Sequence, residues 1–198
     1  MASQEETILR AIVVSSSSTW SGRPIAPNDR QTAFSVLADF SKFQGRIPMC
    51  LSWLPQPRLV VAENDCTIAA KLYACELISD FLKHQYSKLT EKERLQLRTA
   101  VLGAARQEAT KPVTNSRILA NKLASLMASL MVRDFPQRWT TCIDDLFSMW
   151  SSTEPQMGVK ICLEVLRLVA EDCTDSDFNS KVSEGLGVRL SLFCLFGD

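Results

Sequence analysis

The chain has one histidine, no Cys-x-x-Cys pair, no surplus of either charge and no long apolar run. Each shortage closes off a class of chemistry. A zinc site draws on ligand pairs at short spacing, and His84 with seven scattered cysteines offers none. Ser-His-Asp hydrolysis would rest wholly on His84, which sits beside Lys83 with no partner constellation around it. A solvated place late in a helix, favourable against the helix dipole, is the plainer role for it. The 22 basic side chains balance 22 acidic ones, so the excess positive charge that drives non-specific phosphate binding is missing. The seven glycines are scattered, and "GLG" at 185–187 lacks the rest of a phosphate-cradling loop. No stretch approaches the roughly 18 apolar residues of a membrane span. The opening "MASQEETILRAIVV" is too acidic, and its apolar core too short, for a secretory signal or a mitochondrial presequence. The expectation is a soluble, intracellular chain with no metal, no cofactor, no catalysis and no membrane insertion.

What remains is ordinary for a folded protein. At 198 residues, 46% hydrophobic and 22% charged, the chain is long enough for a real core in one or two domains. Several cysteines fall within apolar helical patterns, where cysteine acts as a small hydrophobe, and an odd total of seven suits reduced thiols. One acidic segment, "EDCTDSDFNS" (171–180), invites a calcium reading. A loop starting at Asp175 places Asp177 and Asn179 correctly but puts Ser180 where glycine is needed and Leu186 where glutamate is needed. It reads instead as a solvated helix end.

Helical spacing recurs along the chain. A short helix is expected over 5–14, and a second follows, capped by Asn28 or Asp29, with Ala33, Phe34, Val36, Leu37 and Phe40 apolar. Three prolines confine "GRIPMCLSWLPQP" to at most a two-turn helix. After Asn64 and Asp65, an apolar stripe of Ile68, Leu72, Cys75, Ile78, Phe81 and Leu82 ends near Tyr86. "TEKE" at 90–93 is a capping box that opens a helix carrying Leu95, Leu97, Val101 and Leu102. "TKPVTN" breaks it. Asn115 caps the next helix, which places Ile118, Leu119, Leu123, Leu126, Met127, Leu130 and Met131 on one broad face. Pro136 ends that helix by Phe135 and is expected to start another, with Trp139, Cys142, Ile143, Leu146, Phe147 and Trp150 on its stripe. A last helix begins at Pro155 and buries Met157, Ile161, Val165, Leu168 and Val169. No strand pattern appears, so the fold class is all-α.

Two segments share one grammar. "FLKHQYSKLTEKERL" (81–95) and "LMVRDFPQRWTTCID" (130–144) both run from apolar helix through a basic residue and an aromatic to a break and a new helix. Their spacing lies within a few residues of the roughly 40–47-residue period of HEAT and armadillo arrays. Stacked helical hairpins follow, each burying a face on its neighbour. On this reading Phe135, Pro136 and Trp139 form a structural junction. Arg133, Arg138 and Trp139 could also be taken for a base-stacking platform, but Trp139 shares a stripe with Ile143 and Phe147, which favours core packing.

The run "VRDFPQRWTTCIDDLFSMW" followed by "GVKICLEVLRLVAEDC" resembles the aromatic-Pro-x-x-Trp junction of the importin-β/karyopherin superfamily, exportins especially. "AENDCTIAAKLYACELISDFLKHQYSKLTEKERLQLRTAVL" looks like the first repeats of the exportin-1-like domain. From about Ala62 to Cys173 the order and spacing are most similar to the exportin branch that carries precursor microRNAs. The resemblance implies an α-α superhelix of HEAT-like hairpins, with 137–151 an outer helix and 65–86, 115–133 and 156–172 inner ones. It divides the chain into a degenerate first repeat at 1–61, a repeat domain at 62–187 and an apolar tail at 188–198. It also implies a receptor shuttling between nucleus and cytoplasm, which binds Ran-GTP on inner helices and carries RNA or protein cargo on repeats further along. Nuclear-pore proteins are a further implied partner class. Polar positions off the inner apolar stripes are the Ran-binding candidates: Lys71, Asp80, Lys83, Arg117, Lys122, Lys160, Glu164 and Arg167.

Karyopherins are several times longer, and "GLGVRLSLFCLFGD" offers no polar capping face of the kind a terminal repeat needs. The expectation is therefore a truncated or alternatively spliced product whose last dozen residues are foreign to the family. The alternative reading is a short helical-repeat scaffold for protein interactions, without transport activity.

Overall fold

The computed structural model describes residues 3–20, 22–111, 117–150 and 156–174. Within them are eight α-helices and two minimal β-ribbons, an all-α helical-repeat fold. The Asn115 cap, Pro155, the segment 175–180 and the tail at 188–198 lie outside the described residues. Helix α1 (Gln4–Ser16) is capped by Ser3, whose hydroxyl accepts from the Glu6 amide at 3.1 Å, with Glu5 and Glu6 in the first turn. Helix α2 (Pro27–Lys42) corrects the expected cap. Ala26 occupies the capping position and Pro27 the first turn, where its fixed φ favours the helix and its missing amide hydrogen costs nothing. Its buried face is Ala33, Leu37 and Phe40, while Phe34 points to solvent. Helix α3 (Arg46–Trp53) is the anticipated two-turn segment.

Helix α4 (Thr67–Gln85) buries Ala70, Lys71, Ala74, Cys75, Ile78 and Leu82, spaced three and four apart. The seam is rotated from the one that the large apolar residues suggest: Ile68 is exposed and Leu72 only half-buried. Alanines form the close contact, and Lys71 falls on their side. After a single 3₁₀ turn (Tyr86–Lys88), α5 (Glu91–Ala109) begins with the complete capping box. Thr90 Oγ1 accepts from the Glu93 amide, and Glu93 Oε2 accepts from the Thr90 amide at 2.8 Å. Helices α6 (Arg117–Asp134), α7 (Cys142–Trp150) and α8 (Gln156–Thr174) complete the set.

Pairs α3–α4, α5–α6 and α7–α8 pack as hairpins. Helices α4, α6 and α8 lie against one another in series, and α3, α5 and α7 do the same. Two layers result. The first pair enters them in the opposite order, since α1 packs on α4 and α2 on α3. One continuous cluster of buried side chains runs from Ile8 to Val165. Gly158 lets α7 approach α8 closely: a Cβ there would lie 2.2 Å from the Met149 carbonyl oxygen. Among the described cysteines, Cys50, Cys66, Cys75, Cys142 and Cys162 are all free and buried. Burial pushes the thiols of Cys50, Cys75 and Cys142 up to about 12 and that of Cys162 to about 11.

Two features escape helical periodicity. Ribbons β1–β2 (Thr19–Trp20 with Arg23–Pro24) and β3–β4 (Val60–Val61 with Asn64–Asp65) have strands of two residues, too short to show alternation. The second turns through Ala62 (φ 46°) and Glu63 (φ 68°), the left-handed pair that a tight hairpin of this hand demands, here without glycine. It sets the start of α4: the Leu59 amide donates to Thr67 Oγ1 at 2.8 Å, and the Cys66 amide donates to the Leu59 carbonyl at 2.9 Å. Glu63→Gly should relieve the left-handed penalty and raise stability by about 0.5–1 kcal/mol after the added unfolded-state entropy is subtracted. A lower midpoint in urea than the parent would refute this.

The larger correction concerns Pro136. It does not open α7. Residues 135–141 form turns, the Phe135–Pro136 peptide is cis, and α7 begins only at Cys142. The Asp134 carbonyl accepts from the amides of both Arg138 (2.7 Å) and Trp139 (3.0 Å), which folds the chain tightly at the end of α6. Trp139 therefore stands upstream of the helix, and its phase says nothing about the α7 face. That face buries Cys142, Leu146 and Met149. Phe147 and Trp150 are exposed, with ring centroids 6.2 Å apart.

Candidate functional site

Where α4 meets α5 and α6 meets α7, the two segments of shared grammar touch. The Tyr86 hydroxyl donates to Asp134 Oδ2 at 2.5 Å across the repeat boundary. Asp134 is fully buried, and Arg98 Nη1 lies 3.6 Å from the same oxygen. The Arg98 guanidinium covers the Trp139 ring, 5.4 Å from its centroid, and donates to the Arg138 carbonyl at 3.0 Å. Arg94 and Arg133 lie 5.3 and 6.0 Å from the Tyr86 ring centroid. Glu91 joins Arg94 (2.8 Å) to Arg138 (3.1 Å). Burial, followed by the hydrogen bond to Asp134, drives the Tyr86 hydroxyl pKa well above its ordinary value. The phenol stays a donor at neutral pH.

Trp139 is 4% exposed, and its indole donates to Asp145 Oδ2 at 2.8 Å. Thr141 Oγ1 donates to the same oxygen at 2.9 Å, and Arg106 reaches Oδ1 at 2.8 Å. Trp139 thus ties α5, through Arg98, to α7, through Asp145, and Phe135 is partly buried against the core. Arg133, Arg138 and Trp139 do not make a base-stacking platform, because the indole is buried and faced by Arg98.

Partial burial raises the Asp145 pKa, but the donors from Trp139 and Thr141 and the Arg106 charge outweigh it and hold the carboxyl below the usual 3.8. The folded form therefore stays ionised at pH values where the unfolded chain takes up a proton. The resulting stabilisation is present above the unfolded pKa and disappears as pH falls through the folded one. Asp145→Asn should flatten the loss of stability below about pH 4. Equal acid-side slopes for variant and parent would contradict the assignment.

The layer of α4, α6 and α8 carries most of the polar candidates on open surface. Asp80 and Lys83 are exposed on α4, and Asp80 Oδ1 lies 3.3 Å from His84 Nδ1. Arg117 is exposed at the start of α6. Lys122 is half-buried and forms an ion pair with Glu76, linking α6 to α4. On α8, Lys160 and Glu164 are half-buried and Arg167 is exposed; Arg167 pairs with Glu164 at 2.7 Å and also with Glu171. Lys71 must be withdrawn from this surface. It is buried on the alanine seam and donates to Gln107 Oε1 at 3.0 Å. Burial first, then the neighbouring Lys111, lowers its ammonium pKa. Glu76 was not among the sequence candidates, although its place one turn before Asp80 puts it on the same α4 face.

Among the described residues no cluster of His, Cys, Asp and Glu is placed to hold a metal ion, and no helix is long and apolar enough to cross a membrane. Residues 116–185 match the family described as exportin 1-like protein, a span that includes α6, α7 and α8. Exportin-T of Dictyostelium discoideum is 25% identical over 117 residues, covering 59% of this chain and 10% of that relative. Protein EXPORTIN 1A of Arabidopsis thaliana is 20% identical over 117 residues, covering 58% of this chain and 11% of that relative. The chain thus spans about a tenth of the length of these curated relatives. Hairpin stacking, the aromatic-proline-tryptophan junction and these matches together relate the chain to the exportins of the importin-β superfamily.

Proposed function

We propose that this chain forms part of a nuclear export receptor and that the α4–α6–α8 layer is its binding face for Ran in the GTP state. The observation that carries the reading is the serial packing of these three helices, with Asp80, Lys83, Arg117, Lys122, Lys160, Glu164 and Arg167 all outside the buried core. The exportin-like match over two of the three helices supports it. Binding a GTPase on one part of a solenoid and cargo on another couples the two reciprocally, so each tightens the other without covalent chemistry by the receptor. Cargo would be a small structured RNA, such as a precursor microRNA, or a protein, and the receptor would move between nucleus and cytoplasm. The boundaries 1–61, 62–187 and 188–198 belong to the same proposal.

A pull-down with Ran loaded with GTP or GDP tests it. Selective capture of the GTP form, lost in the Lys122→Glu, Arg167→Glu double variant, is the expected result. Equal capture of both forms would overturn the reading. That outcome would favour a short helical-repeat scaffold for protein interactions, without transport activity.

A further inference from the structure

At the end of the stack, where α1 meets α2, residues of ribbon β1–β2 help to line a cleft of about 600 Å³. Its apolar wall is built from Ala11 and Val14 of α1, Ile25 after the ribbon, and Ala33 and Val36 of α2. Arg10, Trp20, Arg23 and Asp29 also line it. The framework is well held. Arg30 Nη2 donates to the Ser17 carbonyl at 2.8 Å, and the Ile25 amide donates to the Ser18 carbonyl at 3.2 Å. The Arg10 guanidinium lies 5.6 Å from the centroid of the Trp20 ring, and both residues line the cleft. Both Arg10 and Arg23 are exposed, and neither is ion-paired among the described residues.

We infer that this cleft is a docking site for a short acidic peptide segment in which carboxylates alternate with apolar side chains. Two unpaired guanidiniums call for carboxylates, which they bind in forked, charge-assisted geometry. The aliphatic wall calls for an apolar side chain between them. Asp29 can accept a hydrogen bond from the peptide backbone or an amino terminus. A single-stranded nucleic acid fits worse on three counts. Arg10 already covers the Trp20 face that a base would stack on, Asp29 repels phosphate, and the wall is aliphatic rather than aromatic.

The experiment titrates the full chain into fluorescein-labelled acetyl-Glu-Leu-Glu-Phe-amide and follows anisotropy. Saturable binding is expected, weakening by at least roughly tenfold in Arg23→Glu and in Arg10→Glu, and falling as salt rises from about 50 to about 300 mM. Arg23 is the register partner of Trp20 in the ribbon, a backbone pairing that Arg23→Glu leaves in place, so its variant remains informative even if Arg10→Glu loosens the ribbon; circular dichroism checks that the variant is helical. Three results would overturn the proposal: no saturation, unchanged affinity in Arg23→Glu, or equal binding by acetyl-Lys-Leu-Lys-Phe-amide. Displacement of the acidic peptide by tighter binding of a single-stranded decanucleotide would overturn it in favour of nucleic acid.

Discussion

Trp139→Ala is expected to lower the unfolding free energy by about 3–5 kcal/mol. The indole is 4% exposed, and three kinds of contact disappear with it. The apolar area returns to a cavity that the stacked α5 and α7 cannot fully close. The Arg98 guanidinium loses the ring face beneath it. Asp145 Oδ2 loses its indole donor, although Thr141 and Arg106 still satisfy that carboxylate. Trp139→Phe separates these terms, because it keeps most of the volume and removes only the donor, and should cost less than half as much. Urea denaturation of both variants measures the difference. A loss below about 1 kcal/mol for the alanine variant would mean that the indole does not support the junction.

Asp134→Ala should be comparably severe, at about 3–5 kcal/mol. This carboxylate is completely buried and is the acceptor for the Tyr86 hydroxyl and the nearest anion to Arg98. Removing it strands a buried phenol and a largely covered guanidinium, and an unmatched buried charge costs more than the pair contributed. Asp134→Asn keeps an acceptor for Tyr86 but not the charge, so it should lie between parent and alanine. Tyr86→Phe combined with Asp134→Ala should cost less than the two losses summed, since they remove one interaction. Strict additivity would show that the phenol and carboxylate act independently.

Both predictions rest on contacts that local reading half reveals. The shared pattern around Tyr86 and Phe135 marks two repeat boundaries, and in the structure these boundaries touch through Tyr86 and Asp134. The carboxylate itself was not foreseeable, because an aspartate before an aromatic-proline pair looks like a helix end, and the partners of Asp134 come from two other elements. Capping chemistry was local and therefore legible: Thr90 and Glu93 form the anticipated box. The start of α7 was not, since the double acceptance at the Asp134 carbonyl, which holds the chain in turns until Cys142, involves backbone atoms that every residue possesses. Lys71 misleads for a related reason. Large apolar side chains define a stripe by eye, whereas small residues such as Ala70 and Ala74 set the closest helix contact and draw their neighbour inside. The exportin resemblance was legible in the run from Arg133 to Cys173, which lies within the matched span 116–185 and whose proline and aromatics stand at a chain break that local reading marks.

The sealed thiols give this stack its own set of opening gauges. Cys50 reports on α3, Cys66 and Cys75 on the start and middle of α4, Cys142 on the first turn of α7 and Cys162 on α8. Since an alkylating reagent needs an accessible thiolate, each reacts only when its own surroundings part. Mass-resolved labelling over time would therefore rank the hairpins by how often they breathe, and would tell a chain that opens all at once from one that unzips from an end.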